Sequence, residues 1–291
     1  MRLDFDSLPA PPAPDEPGND LPACLRVDAQ LRLAVAREAG RLRLTDRHEA
    51  GAFRFRMPRR TPDAIEALMV NVAGGLAGGD RLALVAEAGE GASLVIGSAA
   101  AERIYRSGGD TTRMKMSLKA ESRAQLCWLP AETIIHKGAR LMRDFSITLA
   151  PDSQLLLGEM VQIGRIASGE RFTSGSWHDR WRLRIGGKLV LAEEFHLKGE
   201  EPRSGHPGAL AGQPFMATLI LAMPDAGERL AGIREAFGSE PTVQAGATSH
   251  SGLVFARALS SNDVALRRAF LSAVRAAAGG DLPLSRLLML Q

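Results

Sequence analysis

Four glutamates, Glu102, Glu132, Glu159 and Glu170, are of a type that can do acid–base chemistry. Two carboxylates held near each other in a cleft can serve one substrate as general acid and general base. Spacing along the chain does not bring any two of them together, so solvated or interface roles weigh more than catalysis. Ser168-Gly169-Glu170 lacks the GxSxG pattern of a nucleophile elbow. The histidines, His48, His136, His178, His196, His206 and His250, never fall at HxxxH or HxxxxH spacing, and Cys24 and Cys127 form no CxxC. A closed zinc cage is therefore not spelled out. The densest glycine cluster is Gly74, Gly75, Gly78 and Gly79, followed by Asp80-Arg81. A phosphate loop needs amides converging at a helix N-terminus, commonly with Gly-Lys-Ser/Thr. No Lys-Ser/Thr follows and the next element reads as a strand, which favours a tight β-connection requiring positive φ or close backbone approach.

Charge narrows the partners. The formal net charge is +3, but residues 1–24 hold Asp4, Asp6, Asp15, Glu16 and Asp20 against Arg2 alone. The rest carries 35 basic and 28 acidic residues. Such a body attracts an acidic partner surface. The arginines alternate with apolar residues instead of forming a run, and no aromatic stacking platform is evident, so no nucleic acid is expected. No stretch of about 18 apolar residues exists, so no membrane partner is expected either. The absence of a signal layout and the two isolated cysteines fit a cytoplasmic protein.

The elements that would position these groups are mostly strands. Residues 1–22 contain six prolines among acidic and small residues and read as a disordered tail; residues 25–291 read as one β-rich domain. Leu25, Val27, Leu31, Leu33 and Val35 recur at even spacings, as do Phe53, Phe55 and Met57, and Met114, Met116 and Leu118. Trp177, Asp179, Trp181, Leu183 and Ile185 share one face, with His178, Arg180, Arg182 and Arg184 on the other. Gly186-Gly187 between two such runs predicts a two-residue hairpin. Further strands are expected at 81–87, 92–98, 124–129, 144–149, 154–162, 215–223 and 243–257. Two helices are expected late: one from an Asp225 cap to a Gly238 stop, the other from Asn262-Asp263 to Gly279-Gly280. No βαβ alternation and no fixed-period repeat is visible.

Several motifs, in order, resemble the UreD (UreH) family of urease accessory proteins. Gly74-Gly75-Leu76-Ala77-Gly78-Gly79-Asp80-Arg81-Leu82 is similar to its GGxxGGD turn. Ala100-Ala101-Glu102-Arg103-Ile104-Tyr105-Arg106-Ser107 and Trp128-Leu129-Pro130-Ala131-Glu132-Thr133-Ile134 match its next two segments. Leu156-Leu157-Gly158-Glu159, Gly164-Arg165 and Ala167-Ser168-Gly169-Glu170 follow, and the likeness runs from about residue 30 to the C-terminus. The resemblance implies a mainly β fold: a two-layer, β-helix-like stack of strands with about two helices packed on it. It implies a non-enzyme that joins UreF and, through it, the GTPase UreG, docks on apo-urease and passes nickel. Nickel would be transient cargo, with no tightly bound cofactor. On that resemblance Asp80, Glu132, Glu159 and Glu170 are expected to line a hydrated passage, with Tyr105 either donating a hydrogen bond there or buried with its hydroxyl satisfied. The sequence departs from the family at Ser98-Ala99, and at His136-Lys137 where Phe-Asp is frequent. His136 stands either as a borderline nickel ligand or as an exposed turn histidine.

Overall fold

The computed structural model describes residues 26–58, 63–199 and 210–284. The tail expected at 1–22, Cys24 and Leu25 lie outside the described residues. Strands are numbered in chain order. The first nine are β1 (Asp28–Glu38), β2 (Arg41–Ala50), β3 (Phe53–Arg56), β4 (Ile65–Asn71), β5 (Arg81–Ala88), β6 (Ser93–Ser98), β7 (Glu102–Ile104), β8 (Thr112–Ala120) and β9 (Gln125–Leu129). Next come β10 (Thr133–Ile135), β11 (Arg140–Leu149), β12 (Gln154–Ile163), β13 (Ser176–Ile185), β14 (Lys188–Lys198) and β15 (Phe215–Ala222). Helix α1 (Leu230–Gly238), β16 (Val243–His250), β17 (Leu253–Ser260) and α2 (Asp263–Ala278) complete the order.

The strands form two sheets. One runs β14-β13-β11-β8-β5-β1-β2; the other runs β16-β17-β15-β12-β9-β6-β4-β3, with β10 and β7 added beside β12. From β5 to β13 the chain alternates between sheets, so β5, β8, β11 and β13 pair in parallel, as do β6, β9 and β12. Parallel neighbours need a long crossover. Here each crossover is a strand of the facing sheet, and the middle of the chain winds as a solenoid-like coil. Successive turns stack like on like: Ser93 Oγ donates to Gln125 Oε1 at 2.8 Å, and Gln125 Nε2 to Gln154 Oε1 at 3.0 Å.

The main core lies between the sheets. Leu31 and Leu33 of β1, Leu82 and Leu84 of β5, Leu118 of β8 and Trp177 of β13 meet Leu94, Leu126, Leu155 and Leu157 from the other sheet. The first sheet buries one face only, which is why its strands alternate in sequence. The second sheet is buried on both faces. Its outer face packs against α1 and α2 through Leu156, Leu219, Val254, Phe237, Phe270 and Val274. Its central strands accordingly read as apolar runs, such as Phe215–Ala222, every residue of which is buried.

The expected mainly β architecture with two late helices is what the chain adopts. The Gly186-Gly187 hairpin joins β13 to β14, with φ of 55° and 80°. Asn262 caps α2 by accepting from the Ala265 amide, and Gly279 ends it in the left-handed conformation. Three details differ. The stretch 243–257 is not one strand but the antiparallel hairpin β16–β17, turned at Ser251-Gly252 with positive φ at both. Asp225 precedes a short 3-10 turn, Ala226–Arg229, and makes no side-chain cap bond; α1 starts only at Leu230. Gly238 is the last residue of α1, not a left-handed stop, and Ser239 follows it with helical φ. Among the described residues no helix is long and apolar enough to cross a membrane.

Candidate functional site: a charged cavity between the sheets

Among the described residues, the core between the sheets holds a cluster of charge. Arg143 of β11 and Asp179 of β13 are register partners on the inward face of the first sheet. Arg143 Nε donates to Asp179 Oδ1 at 2.8 Å, and Nη2 donates to Oδ2. From the facing sheet, Glu159 of β12 brings Oε2 to 2.9 Å from Arg143 Nη1. All three residues are at most 5% exposed. Trp177 Nε1 donates to Asp179 Oδ1 at 2.6 Å, and Trp128 Nε1 donates to Glu159 Oε1 at 2.9 Å. The guanidinium also lies over the Phe145 ring, 5.5 Å from its centroid.

Buried charge is costly unless paired and hydrogen-bonded, and here the pairing is incomplete. Two carboxylates face one guanidinium. Glu159 Oε2 has no hydrogen bond of good geometry, although Arg143 is within ion-pair distance. Burial pushes the Glu159 carboxyl above its ordinary range, Arg143 pulls it back, and Asp179 adds to the rise. Asp179 and Glu159 in turn hold the Arg143 proton more firmly than usual, against the opposing effect of burial.

Glu159 and Arg143 form the inner wall of a cavity of about 130 Å³. Its lining includes Trp128, Phe145, Met116 and Thr133, and reaches Pro130, Ala131, Gly74, Ala99, Ala100 and Glu102 toward the surface. Gly74, Ala99 and Ala100 are exposed. The space is large enough to admit water to polar partners. Glu102 stands near the mouth and accepts from Asn71 Nδ2 at 2.8 Å. Burial pushes its carboxyl up to about 7, against the pull of Asn71 and Arg103. Glu102 and Glu159 are thus two carboxylates on one cavity. Among the described residues no three His, Cys, Asp or Glu side chains gather as a metal-ligand group.

The other expected residues take separate places. Asp80 closes the glycine turn: its two oxygens accept the Val27 and Ala77 amides at 2.8 and 2.7 Å. Glu132 pairs with Arg267 of α2 at 2.9 Å. Glu170 lies under Arg165 at 2.7 Å and accepts the Lys137 amide at 3.0 Å. The Arg165 hydrogen bond leads in holding the Glu170 carboxyl down at about 2. His136 meets the edge of the Tyr105 ring, centroids 5.0 Å apart, and desolvation followed by Arg165 lowers its pKa. Tyr105 donates its hydroxyl to Gly74 O at 2.9 Å. Its ring lies directly on Gly75, where any Cβ would strike it and would also sit 2.8 Å from Arg103 O. The glycine cluster is a connection from β4 to β5. Of the residues expected to line a passage, Glu159 lines this cavity, while Glu170 borders a separate groove of about 500 Å³ with Phe172 and Leu197. Cys127 is buried and its thiol is pushed up to about 12 by desolvation.

Arg143 and Asp179 were absent from the sequence-derived candidates. The signal for Arg143 was its phase: Leu141, Arg143, Phe145, Ile147 and Leu149 alternate inward, but the expected strand began one residue too late, at 144. Asp179 shares a face with Trp177 and Trp181 in the sequence pattern, which offers it no partner.

A sequence model of the UreD urease accessory protein family matches residues 27–287. Similar proteins include the urease accessory protein UreD of Methylobacterium sp. (strain 4-46), 42% identical over 84% of this chain and 88% of that one. That of Azorhizobium caulinodans is 39% identical over 89% and 95%. That of Rhodopseudomonas palustris (strain BisA53) is 40% identical over 90% and 91%.

Proposed function

The chain belongs to the UreD urease accessory protein family, so its role lies in urease maturation, and from that premise we propose that it is the scaffold through which nickel reaches apo-urease. In this reading it binds UreF and, through it, UreG, docks on apo-urease in the cytoplasm, and catalyses no reaction of its own. The observation that carries the reading is the charged cavity inside an otherwise apolar core. A conduit must take up a divalent ion and release it, so its groups must attract the cation without enclosing it. Isolated carboxylate oxygens do this better than clustered imidazoles or thiolates, which hold nickel more firmly. Glu159 offers an oxygen without a well-formed hydrogen bond, and Arg143 limits the negative charge beside it. Asp80, Glu132, Glu170, Tyr105 and His136 would act outside this chamber.

The test is a strain lacking this chain, complemented with wild type or Glu159→Gln. The deletion is expected to make urease polypeptide that stays nickel-poor. Glu159→Gln is expected to co-purify with UreF and urease as wild type does, yet to lower urease nickel content several-fold. Normal urease activity in the deletion strain ends the proposal. A second reading, acid–base chemistry on a small molecule, is favoured only by the shared cavity of Glu102 and Glu159. It predicts that activation survives both Glu102→Gln and Glu159→Gln.

A further inference from the structure

His178 and His196 are register partners on the antiparallel hairpin β13–β14. They are far apart in sequence, so no HxxxH spacing could reveal them. The adjacent residues Trp177 and Leu197 are partners too, and both are buried between the sheets. The two imidazoles therefore stand together on the outer face of the first sheet, away from the cavity. His178 is half-buried and His196 is exposed.

Their ring centres lie 5.1 Å apart, with the planes tilted by 39°. Two imidazoles on one tetrahedral ion, each nitrogen about 2 Å from the metal, have ring centres about 5 Å apart. The hairpin register thus already holds the rings at the separation that a shared ion would set. Glu194, also on β14, brings Oε1 to 2.8 Å from His178 Nε2. A carboxylate only accepts, so Nε2 donates and, in the neutral ring, Nδ1 keeps its lone pair. A carboxylate behind an imidazole in this way fixes the tautomer and makes the other nitrogen a better metal ligand.

The nearby cations have partners of their own. Arg180, which faces Glu194 across the hairpin, is held by Asp144 of β11 at 2.8 and 3.1 Å. Arg182 donates to the Trp181 and Glu193 carbonyls, and its Nη2 lies 3.9 Å from Glu194 Oε2. Lys198, two residues past His196, is also engaged. On the β11 side, the register partner of His178 is Met142, which brings no charge.

We propose that His178 and His196 form a two-histidine clip for a borderline divalent transition-metal ion, with Glu194 fixing the His178 ring from behind. Imidazole suits such ions. The chain supplies two ligands and water completes the shell, so the ion is held reversibly and not enclosed. Because β14 is the outermost strand of its sheet, the ion would also pin that strand to β13, and stability should rise with ion concentration. The clip lies on the opposite face of the sheet from Asp179 and the cavity, and it does not rest on the maturation reading.

The test uses the full-length chain as Cys24→Ser, freed of metal with a chelator and carrying isotope-labelled histidine; Cys127 is buried and does not compete. Zinc ion is the probe. Below one equivalent, the ring nitrogen resonances of His178 and His196 are expected to shift together, ahead of those of His48, His136, His206 and His250, and the thermal midpoint should rise. His178→Gln and His196→Gln change the outer face and leave the core intact. Each should weaken zinc binding roughly tenfold or more by calorimetry, and Glu194→Gln, which keeps an acceptor but removes the charge, by roughly tenfold. Affinity indifferent to these substitutions, or two rings that respond at different zinc concentrations, would overturn the proposal.

Discussion

Arg143 carries the electrostatics of the core: it neutralises Asp179 beside it and faces Glu159 across the gap between the sheets. Removing it leaves two carboxylates buried without a cation. Arg143→Met, which keeps most of the volume, is expected to destabilise the fold by about 3–5 kcal/mol, read as a lowered urea midpoint at unchanged slope. Unchanged stability would mean that the cluster is more hydrated than its burial implies. Glu102 gives a pH signature of definite sign. Its carboxyl rises from 4.5 to about 7 on folding, so the folded state holds the proton that the unfolded chain releases. Its contribution is therefore fully present below pH 4.5 and is lost as pH rises through 7. Glu102→Gln keeps an acceptor for Asn71 and removes the titration. Its stability relative to wild type should improve between pH 5 and pH 8 by roughly 1–3 kcal/mol, an upper range because Glu102 is half-buried. A difference that stays flat with pH would contradict the shift. Neither group announced itself through spacing. A buried ion cluster assembled from three strands has no local motif; the phase of Arg143 among Leu141, Phe145 and Ile147 and that of Asp179 between Trp177 and Trp181 are its traces in the sequence.

At the scale of elements, legibility followed burial. Strands of the first sheet face the core on one side and water on the other, and their period of two gave both their positions and their orientation, as in β8 and β13. Strands of the second sheet are covered on both faces, so their sequences lost the alternation and with it the information about which residue points where. That is why Glu159 and Gly158, adjacent on β12, were read together although they serve opposite faces. Glu159 points between the sheets; Gly158 points at α2, where a Cβ would lie 2.7 Å from Phe270 Cζ and 3.0 Å from Leu129 Cδ2. The missing side chain lets the Phe270 ring settle against the sheet. Gly158→Ala is expected to destabilise by about 1–3 kcal/mol through overpacking, and Phe270→Leu in the same chain should recover part of the loss, measured as thermal midpoints in a double-mutant cycle. Additive effects would show that the ring and the glycine do not share a constraint. The hairpin β16–β17 was missed for a related reason: Ser251-Gly252 is a weak break in a stretch of small residues, and Ser251 accepts positive φ without a glycine of its own.

The whole molecule was the least legible level. A strand-rich chain with two late helices can be read from periodicity, but parallel pairing between β5, β8, β11 and β13 joins residues about thirty positions apart in a sequence with no repeat to mark them. The motif order pointed to the family, and the coil then explains why those motifs matter together: the glycine turn, the Ala99–Arg103 stretch and Pro130-Ala131 are separate in sequence but line one cavity. That convergence yields a prediction about access. Ala101 is half-buried at the outer part of the lining, where a larger side chain can extend into the cavity mouth without entering the packed core. Ala101→Phe should therefore leave stability within about 0.5 kcal/mol of wild type, as surface changes usually do, read as an unchanged urea midpoint. If cargo passes through this cavity, the same variant should slow nickel loading of urease several-fold, and Ala101→Ser, which leaves the mouth open, should not. Wild-type loading by a stable Ala101→Phe chain would place the path elsewhere, with the groove beside Glu170 as the next route to block.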